Sequence, residues 1–596
     1  MPTPIKVFTT MLKLFFTLSL VAFILLSCQS VIVKEVPNLT SVGAEKAEAT
    51  RSEANFDYLF STLDKTFSTK AFLPINSSTP QRNNFLKASN VFEGKLIISG
   101  RPTFKQNYGT FADLPTGYEQ WPEFSYEFIQ DSGRLIPLDR GHGFIGKGAW
   151  SITAGVGSVW DETDDNGYSR AAFPYTIKEK NANCEVNGLA TFLFKSDGAI
   201  SNVQVQNVAE TCLFYGFEFY GTMSAQYSAY PIDKKQQVIQ ERDKEEAARI
   251  PTKPLSALAI DFPGVNLANY GYAIAPESLN GYSILVNGIN YFDGCTTRYG
   301  THPYCTEKTI GIYSFTKTIH GFLVVAALEK KYPGFKKLLI KDLVPECSDT
   351  RWDNVTIEHA LDMATGNYLS ASFSKDEGSA AIIENYFIPT TRAKRADFAC
   401  NGWPQQVPPG TYSVYHTTDT ELLGYAATQF IKNKLGDNSG AFNDILIPLY
   451  NQIGLSHYIR GTQRTTDTNE AWAGYGLSAT LNDVVRVAQY IRDEGISGGM
   501  LDATMINEVL SGKNMGLPSN VSHLNYDNGL WRLHVGALSD MSACGSETQA
   551  PMLSGFGGHT SLILPNVIIT QMTDSGALGI TRTVNDVFNH ISNECP

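Results

Sequence analysis

Ser314 and Lys317 stand three residues apart at the head of the apolar run "YSFTKTIHGFLVVAALEKKYPG" (312–333). A serine hydroxyl is a poor nucleophile until a base beside it takes its proton. Residues three apart on a helix share a face, so the Lys317 amine can reach the Ser314 oxygen. Ser314 in a first helical turn would also lie where free backbone N–H groups and the helix dipole favour developing negative charge. To accept a proton the amine needs a lowered pKa, which an apolar wall or a second cation would supply. From Gly321 to Leu328 the chain is apolar on nearly every face, which predicts a central, buried helix closed by Lys330, Lys331 and Pro333. Ser-x-x-Lys strings are common, so the pair gains meaning only from the rest of the chain.

Three further stretches follow in order: "VTIEHALDMATG" (355–366), "PPGTYSVYHTTDTELLGYAATQF" (408–430) and "AGYGLSATLNDVVRVAQYI" (473–491). With "TIGIYSFTKTIHG" they resemble the serine β-lactamase and penicillin-binding-protein-like hydrolases, in particular the class C branch with its esterases and amide hydrolases. The resemblance covers residues from about 265 to the end and none of the chain before. It implies a β-lactamase/transpeptidase-like α+β domain, an antiparallel sheet flanked by helices plus a helical subdomain. It also implies an acyl-enzyme mechanism with Ser314 as nucleophile, Lys317 as its base and Tyr415 as the phenol that relays the proton. A free phenol has a pKa of about 10, so such a role needs positive charge nearby. Thr417 replaces the usual asparagine and keeps a hydrogen-bonding hydroxyl while losing the second donor.

The third motif of that family falls on Leu553-Ser554-Gly555 in one register, which puts the oxyanion between the backbone N–H groups of Ser314 and Phe556. A second register places it on His559-Thr560-Ser561, and the two remain open on sequence. Leu553 carries no charge, which argues against a gripped substrate carboxylate and for esters or small amides, with D-Ala peptides and weak β-lactam hydrolysis kept as options.

Around this site the chain must supply several elements. Its 596 residues exceed a single ordinary core. Residues 1–28 read as a lipoprotein-type export signal: Lys13, an apolar stretch from Leu14 to Leu26, then Leu25-Leu26-Ser27-Cys28, with Cys28 as the lipidated residue. Gln29 after it favours the outer membrane over the inner. Residues 29–54 read as a tether, 55–231 as a mostly antiparallel β domain broken by Gly, Asn and Asp turns, and 232–264 as a charged, solvated helical linker. Residues 265–596 carry strand patterns at both ends and helices between, the mark of an α+β domain whose sheet joins early and late strands.

The net charge of −12, with no Lys/Arg block, argues against nucleic acid. Eight cysteines besides Cys28, none in a CxxC pair, suit an oxidising compartment. They allow about a hundred pairings, and partners adjacent in sequence are expected: 184–212, 295–305, 347–400 and 544–595. No cofactor or metal is expected. "GHGFIG" (141–146) lacks a following helix, and "DETDDNGY" (161–168) lacks the closing glutamate of a calcium loop and reads as a polar loop. "NYDNGLWRLHV" (525–535) should give an aromatic strand or pocket wall, with Trp531 packing. The rival to an active hydrolase is an inactive cell-surface module of the same fold, with the β domain binding an envelope partner or glycan.

Overall fold

The structure, a computed structural model, describes residues 51–596 except 76, 78–87, 110–116, 142–147, 182, 512–515, 539–540 and 542–543. The export signal, Cys28, nearly all of the tether and most of 141–146 therefore lie outside the described residues. Among the described residues, no helix is long and apolar enough to cross a membrane.

Short runs rich in Val, Ile, Phe and Tyr, separated by turn residues, form ten antiparallel strands between Gly94 and Ala229. Gly94–Ser99 pairs with both Phe124–Asp131 and Tyr215–Ala229, so the sheet closes on itself as a barrel. Its interior is aromatic, with Phe92, Phe128, Phe173, Phe192, Phe194 and Phe217 fully buried. That core runs without a break into Ile382, Ile383, Tyr386, Trp403, Trp472 and Tyr475 of the C-terminal part. The long strands Ser169–Glu179 and Glu185–Phe194 are buried along their whole length because the chain around Tyr58, Leu59 and Phe72 covers their other face.

The second sheet has nine strands. Edge to edge they are Thr252–Pro254, Ile289–Asp293, Leu279–Val286, Val567–Thr573, His559–Ile563, Ala550–Gly555, Leu530–Leu533, Leu524–Asp527 and Leu517–Val521. Early and late strands meet at Leu279–Val286 against Val567–Thr573, as the strand patterns at the two ends predict. Helices fill the sequence between, so the fold is α+β. The apolar helix Leu323–Lys331 is central: Leu323, Val324, Val325, Ala326 and Leu328 have no exposed surface. Burial of a Val or Leu side chain contributes about 1.5–3 kcal/mol before entropy is counted. The disulfides are Cys184–Cys212, Cys295–Cys305, Cys347–Cys400 and Cys544–Cys595, each joining sequence neighbours.

The segment 232–264 departs from the solvated linker expected of it. Its helix, Lys235–Ala248, buries Arg242 and Glu245. Arg242 donates to Glu307 at 2.6 Å and to Glu245 at 3.0 Å, Arg249 reaches Glu307 at 2.5 Å, and Arg140 of the barrel reaches Glu245 at 2.6 Å. Burial would raise the Glu307 pKa, but Arg242 and Arg249 hold it well below the usual carboxylate range. High charge density in the sequence thus marks a paired, buried joint between the two sheets. Residues 252–254 go further and add an edge strand, parallel to Ile289–Asp293. The acidic loop 161–168 is also paired inwards: Glu162 accepts from Arg51 and Asp165 from Arg170.

Candidate active site

Strand Thr309–Gly311 delivers the Ser314 segment, and pairs antiparallel with Ser478–Thr480. Tyr313 then takes φ +44°, a left-handed backbone that a bulky residue rarely adopts. Ser314 follows, and its carbonyl accepts from the Lys317 N–H at 2.9 Å. The helix proper opens with a π-helical turn over Lys317–Phe322 before Leu323–Lys331. Both side chains of the pair therefore sit at the entry of the central helix.

Lys317 Nζ donates to Ser314 Oγ at 3.0 Å, Thr417 Oγ1 at 2.9 Å and the Gly474 carbonyl at 2.9 Å. Only 2% of Lys317 is exposed, so these three oxygens replace its water. The Tyr415 hydroxyl donates to Ser314 Oγ at 2.7 Å, and Lys317 Nζ lies 4.9 Å from the centre of the Tyr415 ring. Ser314, Lys317 and Tyr415, 101 residues apart at the extremes, thus converge on one oxygen. The Tyr415 ring stacks on Trp531 at 5.7 Å, and Phe373 packs edge-on against both, so Trp531 packs and also forms the aromatic wall.

Thr417 lies between Lys317 and Glu377. It is buried, accepts from Lys317 and donates through Oγ1 to the Glu377 carboxylate, whose other oxygen accepts the Thr417 N–H at 2.9 Å. Glu377 thereby caps the helix Thr417–Leu435 from a distant segment, with its negative charge at the positive helix end. Next to it, His416 stacks on Trp403 and bonds Asp376 at 3.0 Å. Burial disfavours a charge on His416, but the Asp376 hydrogen bond and the Asp419 and Asp376 carboxylates outweigh it and raise the pKa. Glu377, Gly474 and Asp376 escaped the sequence reading. Short motifs do not announce a carboxylate 40 residues upstream of the helix it caps.

The structure separates the two registers of the third motif. Leu553-Ser554-Gly555 ends the strand beside the nucleophile, and a β-carbon on Gly555 would come within 2.9 Å of the Ile312 carbonyl. Leu553 itself is fully buried in the main core, whereas Ser554 is half-buried. Phe556 begins the turn that follows, stacked at 5.5 Å on Phe214 of the barrel. His559, proposed as a substrate contact in the other register, is a correction: it has no exposed surface and both ring nitrogens are taken. Nε2 donates to the Gly311 carbonyl at 3.1 Å and Nδ1 accepts from the Thr573 N–H at 3.2 Å. Burial pushes its pKa down to about 4, so the ring is neutral. Among the described residues no cluster of three or more metal-binding side chains is present. An apolar cavity of about 260 Å³, lined by Leu533, Val535, Met552 and Ile580, lies apart from Ser314, Lys317 and Tyr415.

No family model matches the chain, and neither does any curated protein. Solved structures similar to it include EstCE1, a hydrolase with promiscuous acyltransferase activity, at 14% identity and a TM-score of 0.40, over 59% of this chain and 99% of that one. A class C β-lactamase is 14% identical with a TM-score of 0.36, over 60% of this chain and 98% of that one. A penicillin-binding protein homologue from Caulobacter crescentus is 16% identical with a TM-score of 0.38, over 57% and 98% respectively.

Proposed function

We propose that the chain is a serine hydrolase that works through an acyl-enzyme on an ester or a small amide. One observation carries this reading: Lys317 and Tyr415 both hydrogen-bond the single oxygen Ser314 Oγ, at 3.0 and 2.7 Å, beside a wall of aromatic rings. A serine with no chemical task has no need of a buried lysine and a phenol on one hydroxyl.

In the proposed reaction the reactive state of the Lys317/Tyr415 pair is one proton short of two full donors: Ser314 Oγ attacks the carbonyl carbon while its proton fills that place, and the pair then passes a proton to the leaving alcohol or amine. The backbone N–H groups of Ser314 and Phe556 hold the oxyanion. Water enters, gives a proton to the pair and attacks the acyl carbon, and the pair returns that proton to Ser314 Oγ as the acid leaves. Leu553, buried where the family resemblance would place a cation, leaves a substrate carboxylate without a partner there, which favours uncharged esters and amides over penicillins.

The same reading makes the protein an exported one, lipid-anchored through Cys28 to the cell envelope, with the outer membrane preferred. Hydrolysis of a panel of short-chain nitrophenyl esters, anilides and a chromogenic cephalosporin by the protein and its Ser314→Ala variant tests the chemistry. Turnover of at least one ester, abolished in the variant, is the expected result. Equal rates for the two proteins would leave the fold as an inactive surface module.

A further inference from the structure

We infer that the β barrel is part of the catalytic apparatus, and that its Asn183 is a positioning residue for Ser314; the inference rests on the hydrolase reading and assigns a role to the otherwise unexplained N-terminal half. Asn183 stands between the strands Ser169–Glu179 and Glu185–Phe194, 130 residues before Tyr313. Its side chain is nonetheless inserted behind the nucleophile turn, with 3% of its surface exposed. Oδ1 accepts the N–H of Tyr313 at 3.1 Å and that of Gly476 at 3.1 Å, and Nδ2 donates to the Leu477 carbonyl at 3.3 Å. One amide therefore ties the residue before the proposed nucleophile to Gly476 and Leu477, which lead from Gly474, whose carbonyl holds Lys317, into the strand Ser478–Thr480.

The fit is close on every side. A β-carbon on Gly311 would come within 1.9 Å of the Asn183 carbonyl, so the two chains can approach only because that residue is glycine. Asn187 donates to the Thr309 carbonyl at 3.0 Å, and the Tyr313 hydroxyl donates to the Thr211 carbonyl at 3.4 Å. The Cys184–Cys212 disulfide joins the two barrel segments that carry Asn183 and Phe214, and Phe214 stacks on Phe556. The barrel thus touches both residues that flank the reacting carbonyl, the one before the nucleophile and the proposed oxyanion donor.

Tyr313 needs such a holder. At φ +44° its backbone persists only when its surroundings over-determine it. If Tyr313 relaxes, Ser314 Oγ moves, and a displacement of about 1 Å is enough to lower a rate by about a hundredfold.

The test uses Asn183→Gly in the full chain. Asn183 itself sits at φ +58°, so glycine removes the amide without straining the backbone. We expect the maximal rate of Ser314 phosphonylation by a fluorophosphonate, with loss of fluoride, to fall roughly tenfold to a hundredfold, with the concentration dependence unchanged. Hydrogen exchange should quicken in peptides covering 309–316 and 474–478 and stay the same in the barrel strands. Asn183→Asp keeps both acceptor contacts and loses only the donor to the Leu477 carbonyl, so it should react about threefold or more faster than Asn183→Gly. Phosphonylation of Asn183→Gly within about twofold of the unaltered protein overturns the proposal. Should that variant not fold, Asn183→Ser, whose hydroxyl cannot span both strands, gives the same comparison with the same limit. An unaltered protein that is never labelled overturns the hydrolase reading instead, and unchanged exchange in the two peptides then overturns the brace on its own.

Discussion

Replacing His559 by asparagine probes how the strand behind the nucleophile is held, and its effect follows from proton linkage. The imidazole is fully buried between the Gly311 carbonyl and the Thr573 N–H, and its pKa is about 4 against 6.5 for the free side chain. A group that binds its proton less readily when folded gives stability above its unfolded pKa and loses it as pH falls towards the folded one. The window is therefore pH 6.5 down to about 4. Two and a half units at about 1.4 kcal/mol each amount to about 3.5 kcal/mol, of which about 3 kcal/mol is lost by pH 4, where the folded ring is half protonated. Asparagine does not titrate there, so His559→Asn carries a constant penalty for the lost Gly311 bond and lacks that slope. Other buried groups titrate in the same range: His320 and His302 are depressed to about 3, and Asp419 and Asp574 are raised to about 7, the carboxylates losing stability as pH rises. They are common to both proteins and cancel in the difference. Urea unfolding of the two proteins from pH 7.5 to 4, followed by tryptophan fluorescence, should show their stability gap shrinking by about 3 kcal/mol as pH falls. A gap that stays constant within about 1 kcal/mol would refute the assignment of His559 as a buried, neutral, structural ring.

Tyr415→Phe keeps the stack on Trp531 and removes the 2.7 Å bond to Ser314, so kcat for an ester should fall by about 10² or more while KM moves little. A change confined to KM, read from steady-state kinetics, would assign Tyr415 to binding. Thr417→Val breaks the path from Lys317 to Glu377 and should slow Ser314 acylation by about tenfold or more, whereas Thr417→Ser should stay within about threefold in the same stopped-flow assay. Glu307→Ala leaves Arg242 and Arg249 without their buried carboxylate and should lower unfolding stability by about 3–5 kcal/mol, measured by denaturant titration.

The α+β layout was legible because its signals are local and periodic: the all-apolar 321–328 run, and strand patterns at 281–292 and 560–573 on either side of a helical middle. Ser314 and Lys317 were legible because a hydroxyl and an amine three residues apart at a helix start can meet, whereas Tyr415, 101 residues away, was legible only through the resemblance of 408–430 to a family motif. Partners set by long-range packing left no such mark. Glu377 lies in an unpatterned loop, Asn183 reads as one turn residue among many, and His559 looks the same whether it faces a substrate or a strand. The charged stretch 232–264 misleads for a related reason, since composition reports charge density and says nothing of whether Arg242 and Glu307 meet in the interior. The barrel's closure is equally silent, because it depends on Gly94–Ser99 pairing with strands on both sides.

Intact mass of the protein after exposure to a fluorophosphonate tests the central claim most directly, with Ser314→Ala and a penicillin-treated sample alongside. One adduct, absent from the variant and located at Ser314 by peptide mapping, is the predicted result, with little or no labelling by penicillin. No adduct on folded protein, or an adduct that survives in Ser314→Ala, would contradict an activated Ser314.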